Sequence, residues 1–269
     1  MDEVTGGTGK ARVIVIGNQK GGSGKSTVAM HLVVGLARAG FRVGSIDLDA
    51  GQATLTRYIE NRRAFGEKRE LDLPGPEHMP LAPGTSIEAD ERRLEQAMLA
   101  FDEQVDVVVI DTPGSDTPLN RAAHGLADIL VTPLNDSFVD LDVLARVDGE
   151  TLNITGPSPY AQTVWEAKMA RARRDGTTMR WIVLRNRLSH LDARNKREME
   201  EALTDLAKRI GFTIIPGLGE RVIYREMFLN GLTLLDLKDK SAGVDMKMSH
   251  VAARNELRGV LQALGVDVG

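Results

Sequence analysis

Short apolar segments alternate along the chain with longer segments in which apolar residues recur every three or four positions. The short segments are four to six residues long and rich in β-branched residues. Such segments are typical of strands that are covered on both faces in a parallel sheet. We predict strands at Arg12–Ile16, Phe41–Ile46, Val105–Ile110, Ile129–Thr132, Trp181–Leu184 and Phe212–Ile215.

The longer segments predict the helices that connect these strands. They lie at 26–39, 88–103, 138–152, 160–174, 192–210 and 250–264. Regular alternation of strands and helices is typical of α/β folds whose helices cover both faces of the sheet. The pattern therefore predicts an α/β fold with a doubly wound, mostly parallel sheet.

We expect the 269 residues to form a single domain, 1–269, because one α/β domain often reaches this length. Residues 1–10 precede the first predicted strand, and we expect them to be a flexible N-terminal segment. Prolines at 74, 76, 80 and 83 exclude a regular helix or a central strand over part of the next long connection. We interpret 60–90 as a surface excursion of the same domain.

Composition excludes several classes of protein. The absence of cysteine excludes disulfides, thiolate zinc sites and cysteine-ligated iron–sulfur clusters. A net charge of −4 argues against a uniformly basic nucleic-acid-binding protein, but it allows a local basic face. No apolar stretch approaches the about 18 residues of a membrane-spanning helix, and the N-terminus lacks a signal-peptide pattern. We therefore expect a cytoplasmic protein without a stable membrane anchor.

A glycine-rich loop between the first predicted strand and helix carries the strongest chemical signal. It reads Gly17-Asn-Gln-Lys-Gly-Gly-Ser-Gly-Lys-Ser-Thr27. Glycines let successive backbone N–H groups turn inward around a triphosphate, and the following helix adds its N-terminal partial positive charge. In such a P-loop, Lys25 reaches the β- and γ-phosphates and the Ser26 hydroxyl ligates Mg²⁺. The loop therefore predicts a P-loop NTPase with ATP and Mg²⁺ as its nucleotide and metal. The predicted nucleotide-binding residues here are Lys20, Gly21, Gly22, Ser23, Gly24, Lys25, Ser26 and Thr27.

The loop departs from the general G-x-x-x-x-G-K-[ST] pattern, since Gln19 takes the place of the first glycine and Lys20 follows it. The variant K-G-G-x-G-K-[ST] resembles the loop of the deviant Walker A ATPases of the ParA/MinD class. In that class, the lysine at the position of Lys20 reaches across a dimer interface to the partner's nucleotide. The resemblance implies an ATP-bound homodimer in which Lys20 and Lys25 are both catalytic, because a second cation would stabilise charge on the transferred phosphate.

Acidic residues follow two other predicted strands, at the sheet edge where ligands gather in open parallel sheets. Asp47 and Asp49 follow one strand, and Asp111 follows the next. Four apolar residues followed by Asp form a Walker B pattern, so we predict that Asp111 holds the magnesium ion. The resemblance implies that Asp47 belongs to the water shell of Mg²⁺ and that Asp49 orients the attacking water. Gly114, in a D-x-x-G stretch, is predicted to sense the γ-phosphate.

Adenine recognition is expected from the far side of the sheet. The resemblance implies that the Asn186 amide pairs with the adenine edge and that the loop at Pro216 packs on the ring. An asparagine amide offers both a donor and an acceptor, as the N6/N1 edge of adenine requires. The alternative interpretation of Asn186 is an ordinary turn residue.

Residues 165–225 are basic in an acidic chain. They contain fourteen Lys/Arg and eight Asp/Glu, a charge of +6 against −4 for the whole. Arg194, Lys196 and Arg197 fall in or before the first turn of a predicted helix, where positive charge opposes the helix dipole. An anionic partner such as double-stranded DNA would explain them, and such binding would be sequence-independent and salt-sensitive. The alternative is a solvated basic helix. The predicted DNA-binding residues are Arg194, Lys196, Arg197, Lys208, Arg209, Arg221 and Arg225.

Several later blocks resemble the MipZ group within this class, whose members position the division plane. These blocks are Asn135-Asp-Ser-Phe-Val-Asp140, Val164-Trp-Glu166, Val183-Leu-Arg-Asn-Arg-Leu188, Arg221-Val-Ile-Tyr-Arg-Glu226 and Gly231-Leu-Thr-Leu-Leu-Asp236. The resemblance runs from about residue 11 to 264. It implies monomers without ATP and a dimer with ATP that binds chromosomal DNA non-specifically, is recruited by ParB and inhibits FtsZ polymerisation. It also implies slow hydrolysis that returns monomers, and a nucleoid-associated location concentrated towards ParB-marked poles.

Three alternatives stay open. A ParA-type chromosome or plasmid partition ATPase shares every phosphate motif, and only the later blocks separate it from a MipZ-like protein. A metabolic P-loop synthetase that activates a carboxylate would turn over rapidly, and Lys20 argues against it. A membrane-oscillating MinD-like regulator would need clustered cations on its C-terminal helix, where only Arg254 and Arg258 are present.

Overall fold

The computed structural model describes residues 10–49, 51–82, 84, 86–135, 137–147, 154–188, 193–238 and 248–266. The predicted N-terminal segment 1–10 lies, apart from Lys10, outside this part of the chain. Within it, no helix is long and apolar enough to cross a bilayer.

The strands carry most of the predicted apolar segments. They are β1 (Arg12–Ile16), β2 (Val43–Asp47), β3 (Glu77–Pro80), β4 (Val107–Asp111), β5 (Ile129–Asn135), β6 (Ala145–Val147), β7 (Ile154–Pro157), β8 (Arg180–Leu188) and β9 (Thr213–Gly219). The helices are α1 (Lys25–Arg38), α2 (Thr54–Arg69), α3 (Ile87–Phe101), α4 (Pro118–Leu126), α5 (Phe138–Leu141), α6 (Pro159–Asp175), α7 (Ala193–Ile210), α8 (Ile223–Phe228) and α9 (Met248–Ala263). A 3₁₀ turn spans Asp236–Lys238.

Seven of the nine described strands form a parallel sheet of order β3-β2-β4-β1-β5-β8-β9, which confirms the predicted doubly wound fold. Two buried apolar clusters cover its faces. Residues of α1, α2, α8 and α9 form one cluster, and residues of α3, α4, α6 and α7 form the other. Because β1 lies between β4 and β5, the chain reverses its direction of travel through the sheet beside β1. Ligands of open α/β sheets bind at such a point.

The register of the central strands places the predicted acidic residues side by side. Asp111 is the strand partner of both Ile16 and Asp47. The loop that follows Ile16 therefore begins beside two carboxylates. This geometry follows from parallel pairing, which brings all carboxyl ends to one edge of the sheet.

The predicted helix 138–152 is wrong. In the described part of that range, 138–147, only α5 is helical, and β6 follows it and pairs antiparallel with β7. The segments Ala145–Val147 and Ile154–Pro157 contain β-branched residues, a glycine and a proline, all of which disfavour helix. Helix α6 begins directly afterwards, with Pro159 in its first turn and the Ser158 hydroxyl accepting from the Ala161 N–H at 2.9 Å.

The range 60–90, predicted as a surface excursion, contains the end of α2, strand β3 and the start of α3. Helix α2 begins before it and buries Leu55, Tyr58, Ile59 and Arg62 against the core. Strand β3 then extends the sheet beside β2. Pro80 is tolerated because β3 is an edge strand, where one side of the backbone needs no partner. Helix α4, at nine residues, was too short for its apolar period to be recognised.

Candidate nucleotide site

The loop between β1 and α1 presents its backbone to an open cleft. Gly22 and Gly24 adopt left-handed φ values of 74° and 86°, which glycine reaches without steric cost. No side chain caps the N-terminus of α1, so its N–H groups remain available to an anion. Below the loop, Asn18 donates to the Pro133 carbonyl at 2.6 Å and accepts from the Lys20 N–H at 2.8 Å. The loop is therefore held in a shape suited to phosphate.

Lys25 lines this cleft, and its charge interacts with that of the fully buried Asp111 at the end of β4. The Lys25 ammonium is buried and donates to the Lys20 carbonyl at 3.1 Å. Burial lowers the pKa of Lys25, while the Asp111 and Asp49 carboxylates act in the opposite direction. Burial raises the pKa of the fully buried Asp111 to about 7, although nearby Ser26 and Lys25 favour its charged form.

The Asp111 carboxylate fits a hard metal cation. Neither of its oxygens has a hydrogen-bond partner of normal geometry among the described residues. A buried carboxylate in this state is costly unless something neutralises it. Mg²⁺ takes oxygen ligands and commonly completes its shell with water and substrate phosphates. Asp111 and the Ser26 hydroxyl would hold it here, where it would neutralise phosphate charge.

The two other predicted carboxylates have different surroundings. Asp47 is buried, and its oxygens accept from the Asp49 N–H at 2.9 Å, the Thr56 N–H at 3.0 Å and the Thr56 hydroxyl at 2.8 Å. The structure therefore uses Asp47 to hold the loop that leads into α2. Asp49 is half-buried and lines the phosphate cleft, as a water-orienting residue must.

Lys20 reaches towards its own chain. Its ammonium forms an ion pair with Asp140 of α5, whose side chain is almost fully buried. The Lys20 side chain itself is 37% exposed. Gly114 lies on the other side of the loop, where an added Cβ would come within 3.1 Å of the Gly21 nitrogen. Any side chain at 114 would therefore press on the phosphate loop.

Two neighbouring clefts, each of about 580 Å³, extend from the loop. The phosphate cleft is lined by Gly21, Gly22, Gly24, Lys25, Ser26, Thr27, Asp49, Gln52, Thr54, Pro113, Gly114, Ser115 and Arg187. The second cleft, here called the base cleft, lies towards β9 and α8 and shares Gly24, Thr27, Thr54 and Arg187 with the first. Their continuity suits a nucleotide, with its phosphates in one cleft and its base in the other.

Of the predicted adenine-binding residues, Asn186 lines the base cleft and Pro216 does not. The Asn186 amide donates to the Ser23 carbonyl at 2.7 Å and so also braces the phosphate loop. Pro216 is exposed within β9 because that strand continues to Gly219, beyond the predicted end at Ile215. Leu218, Gly219 and Glu220 line the cleft instead.

A family model described as ATPase MipZ matches residues 12–268. The chain belongs to the MipZ family. This confirms the resemblance seen in the sequence.

Two curated relatives of this MipZ-family chain are named as chromosome-partitioning proteins. It is 33% identical over 148 residues to the chromosome-partitioning ATPase Soj of Thermus thermophilus, covering 51% of this chain and 59% of that protein. It is 30% identical over 159 residues to the chromosome partitioning protein ParA of Myxococcus xanthus, covering 51% and 56%. The chain thus spans less than two thirds of the length of these relatives.

Solved structures of low identity share the fold of this MipZ-family chain. Apo McdA from Cyanothece gives a TM-score of 0.67 at 20% identity, covering 95% of this chain and all of that one. MinD complexed with Mg-ADP from Pyrococcus horikoshii gives 0.56 at 19% identity, covering 92% and 94%.

Four of the predicted DNA-binding residues have described side chains, and these four do not lie on one surface of the MipZ-family chain. Lys208 and Arg209 are exposed in the last turn of α7. Arg221 pairs with Glu256 of α9, on the opposite face of the sheet, and it lines the base cleft together with Arg225. The side chains of Arg194, Lys196 and Arg197 lie outside the described residues.

Sequence reasoning missed several residues of the site. Gln52, Thr54, Ser115 and Arg187 line the phosphate cleft. Arg187 has a φ of 51°, a left-handed conformation that is strained for a residue with a side chain. Its position directly after Asn186 was the available signal. Thr54 and Gln52 had none, because α2 itself was not predicted.

Proposed function

We propose that this MipZ-family chain is an ATP-dependent switch ATPase that forms a homodimer with ATP and acts in positioning the division site. The observation that carries the proposal is Asp111, a buried carboxylate near Lys25 and the glycine loop whose oxygens have no hydrogen bond of normal geometry among the described residues. Because such a group needs a cation, the site favours a nucleotide that brings Mg²⁺ with it. Membership of the MipZ family supports the link to cell division.

The residues of the phosphate cleft have separate chemical tasks in this proposal. Lys25 and the loop N–H groups bind phosphate, and Asp111 and Ser26 hold Mg²⁺. Asp49 orients the attacking water from the rim of the cleft. In this proposal hydrolysis is slow, and the bound nucleotide acts mainly as a switch.

Lys20 couples dimerisation to the nucleotide. In the single chain, the Lys20 ammonium pairs with the nearly buried Asp140, while the Lys20 side chain is 37% exposed. To reach a partner's nucleotide, Lys20 exchanges this carboxylate for phosphate oxygens, which carry more charge. Dimer formation is therefore favourable only with a triphosphate bound, and hydrolysis returns monomers.

The partners in this proposal come from the family rather than from the site. The dimer binds nucleoid DNA without sequence preference, is recruited by ParB and inhibits FtsZ assembly. The protein then acts in the cytoplasm, associated with the nucleoid and concentrated towards ParB-marked poles. The basic stretch 165–225 and the exposed cations of α7 support the DNA contact.

Sedimentation of FtsZ polymers tests the proposal. Wild-type protein with ATP is expected to lower the sedimented fraction of FtsZ, and to have no effect without ATP. Lys20→Ala should abolish both this effect and the ATP-dependent dimer on size-exclusion chromatography. Asp49→Ala should bind ATP, stay dimeric and inhibit FtsZ persistently, because only water orientation is lost. An ATP-bound wild-type protein that stays monomeric contradicts the proposal.

A second candidate function is that of a ParA-type partition ATPase. The 33% identity to the Soj ATPase favours it, since that relative is a chromosome-partitioning protein. The same experiment separates the two functions. A partition ATPase would dimerise with ATP and bind DNA, but it would leave FtsZ sedimentation unchanged.

A further inference from the structure

A histidine far from the phosphate loop belongs to a chain of hydrogen bonds that ends at the site. His78 lies on the edge strand β3, directly opposite Ser45 of β2. Its Nδ1 lies 2.8 Å from the Ser45 hydroxyl, and its Nε2 lies 3.0 Å from the Thr56 hydroxyl. Thr56 in turn donates to Asp47 at 2.8 Å. This series of hydrogen bonds runs from His78, at the edge of the sheet, to the Asp47 carboxylate.

Only one assignment of hydrogens satisfies every member of this chain while the His78 ring is neutral. The Asp47 carboxylate can only accept hydrogen bonds, so the Thr56 hydroxyl must donate its single hydrogen to Asp47. His78 Nε2 must then donate to Thr56, and Nδ1 accepts from the Ser45 hydroxyl. Burial lowers the pKa of His78, which favours the neutral ring that this assignment requires.

The end of the chain controls the backbone that carries Asp49. One Asp47 oxygen accepts from the Asp49 N–H at 2.9 Å, and the other accepts from the Thr56 N–H at 3.0 Å. Asp47 therefore ties together both ends of the loop between β2 and α2. Rotation of the Thr56 hydroxyl away from Asp47 would loosen this tie and shift Asp49 within the phosphate cleft.

We infer that His78 is a positioning residue for ATP hydrolysis, acting through Thr56 and Asp47 to hold Asp49 in place. His78 does not line the phosphate cleft, so it acts through other groups rather than on the nucleotide. The inference rests on the proposed ATPase function and on its assignment of Asp49. It assigns a function to strand β3, which lies in a range predicted from the sequence only as a proline-bearing surface excursion.

Two substitutions separate the two nitrogens of the ring. His78→Gln keeps an N–H near the position of Nε2, whereas His78→Asn keeps a polar group only near Nδ1. We expect His78→Asn to lower kcat about tenfold with an unchanged affinity for ATP, because a misplaced catalytic group costs rate rather than binding. His78→Gln should stay within about threefold of wild type. Equal losses in the two variants, or a loss of ATP affinity alone, would overturn the inference.

Substitution of Thr56 tests whether His78 acts on Asp49 through the Thr56 hydroxyl. Thr56→Val removes the hydroxyl at nearly constant volume, and the pair Thr56→Val with His78→Asn should be no slower than Thr56→Val alone. Additive losses would mean that His78 acts elsewhere. Met79→Leu, on the same strand, is the matched control and should leave kcat and thermal stability unchanged. Wild-type protein that hydrolyses no ATP would refute the proposed function itself, and with it the role of His78.

Discussion

At the scale of single residues, Asp111 shows how a site can be built at the expense of stability. Its carboxylate is fully buried and has no hydrogen bond of normal geometry among the described residues, although Ser26 and Lys25 lie nearby. Burial raises the pKa of Asp111 to about 7, so the ionised form is disfavoured without a cation. Such a residue is retained for what it binds and not for what it contributes to folding.

Asp111→Asn is therefore expected to stabilise the nucleotide-free protein while removing its response to Mg-ATP. Replacing a buried charge by a neutral group of the same shape should raise the free energy of unfolding by about 1–3 kcal/mol. Thermal unfolding with and without Mg-ATP measures both effects. Asp49→Asn is the matched control, since it alters a nearby carboxylate that lines the phosphate cleft and should keep the Mg-ATP shift. An Asp111→Asn protein that still gains stability from Mg-ATP would exclude Asp111 as a metal ligand.

At the scale of elements, α2 depends on a buried ion pair that the apolar pattern could not indicate. Arg62 of α2 is 2% exposed and makes two hydrogen bonds to Asp236, at 2.8 and 2.9 Å. It also donates to the carbonyls of Pro74 and Gly231. Arg62 thus fastens the proline-bearing connection and the turn at 231–236 to the same helix.

Asp236→Asn is expected to destabilise the protein at neutral pH, because it leaves the Arg62 charge buried without its partner. Burial opposes ionisation of Asp236, but the hydrogen bonds and charge of Arg62 prevail and lower its pKa to about 2. The unfolded pKa is near 3.9, so the folded state holds fewer protons between these values. The contribution of the charge, about 2 kcal/mol, is thus complete above about pH 4 and is lost as pH falls towards 2.

Urea unfolding of wild type and Asp236→Asn at several pH values measures this difference. The gap in unfolding free energy should be widest at neutral pH and should narrow below about pH 4. Asp106→Asn is the matched control, because Asp106 also makes side-chain hydrogen bonds with an arginine, Arg42, whose side chain is 60% exposed. That variant should lose far less stability. An equal loss in the two variants would mean that burial of the Arg62 pair is unimportant.

The same elements explain what the sequence could predict and what it could not. Strands β1 and β4 each contain four consecutive apolar residues, and the phosphate loop after β1 and Asp111 at the end of β4 carry recognisable chemistry. Helix α2 has few apolar residues and buries an arginine, so its period is weak. The helix predicted at 138–152 failed because short strands in a hairpin can carry the same apolar spacing as a helix. His78 and Arg187 reach the site through contacts between distant segments, which leave no period in the sequence.

At the scale of the whole molecule, exposed cations lie at the ends of helices on both faces of the sheet. Helix α7 packs on one face and α2 on the other, and each ends in two exposed cations. These are Lys208 and Arg209 on α7, and Lys68 and Arg69 on α2. Only the α7 pair lies in the segment that carries +6. The two pairs have the same helix position and similar exposure, so they isolate the effect of location.

Reversing both charges on α7, as Lys208→Glu with Arg209→Glu, should weaken binding to double-stranded DNA in the presence of ATP. If both cations contact phosphates, the slope of log affinity against log salt should fall in magnitude by about 2, since each contact releases about one counterion.

The control variant, Lys68→Glu with Arg69→Glu, reverses the same charges in the last turn of α2 and should leave DNA affinity and its salt slope unchanged. Binding should be equal for unrelated DNA sequences, because phosphate contacts carry no base information. Fluorescence anisotropy across a salt series measures all of these quantities. Equal losses in the two double variants would assign DNA binding to net charge alone, and no loss in either would place the DNA-binding surface away from the end of α7.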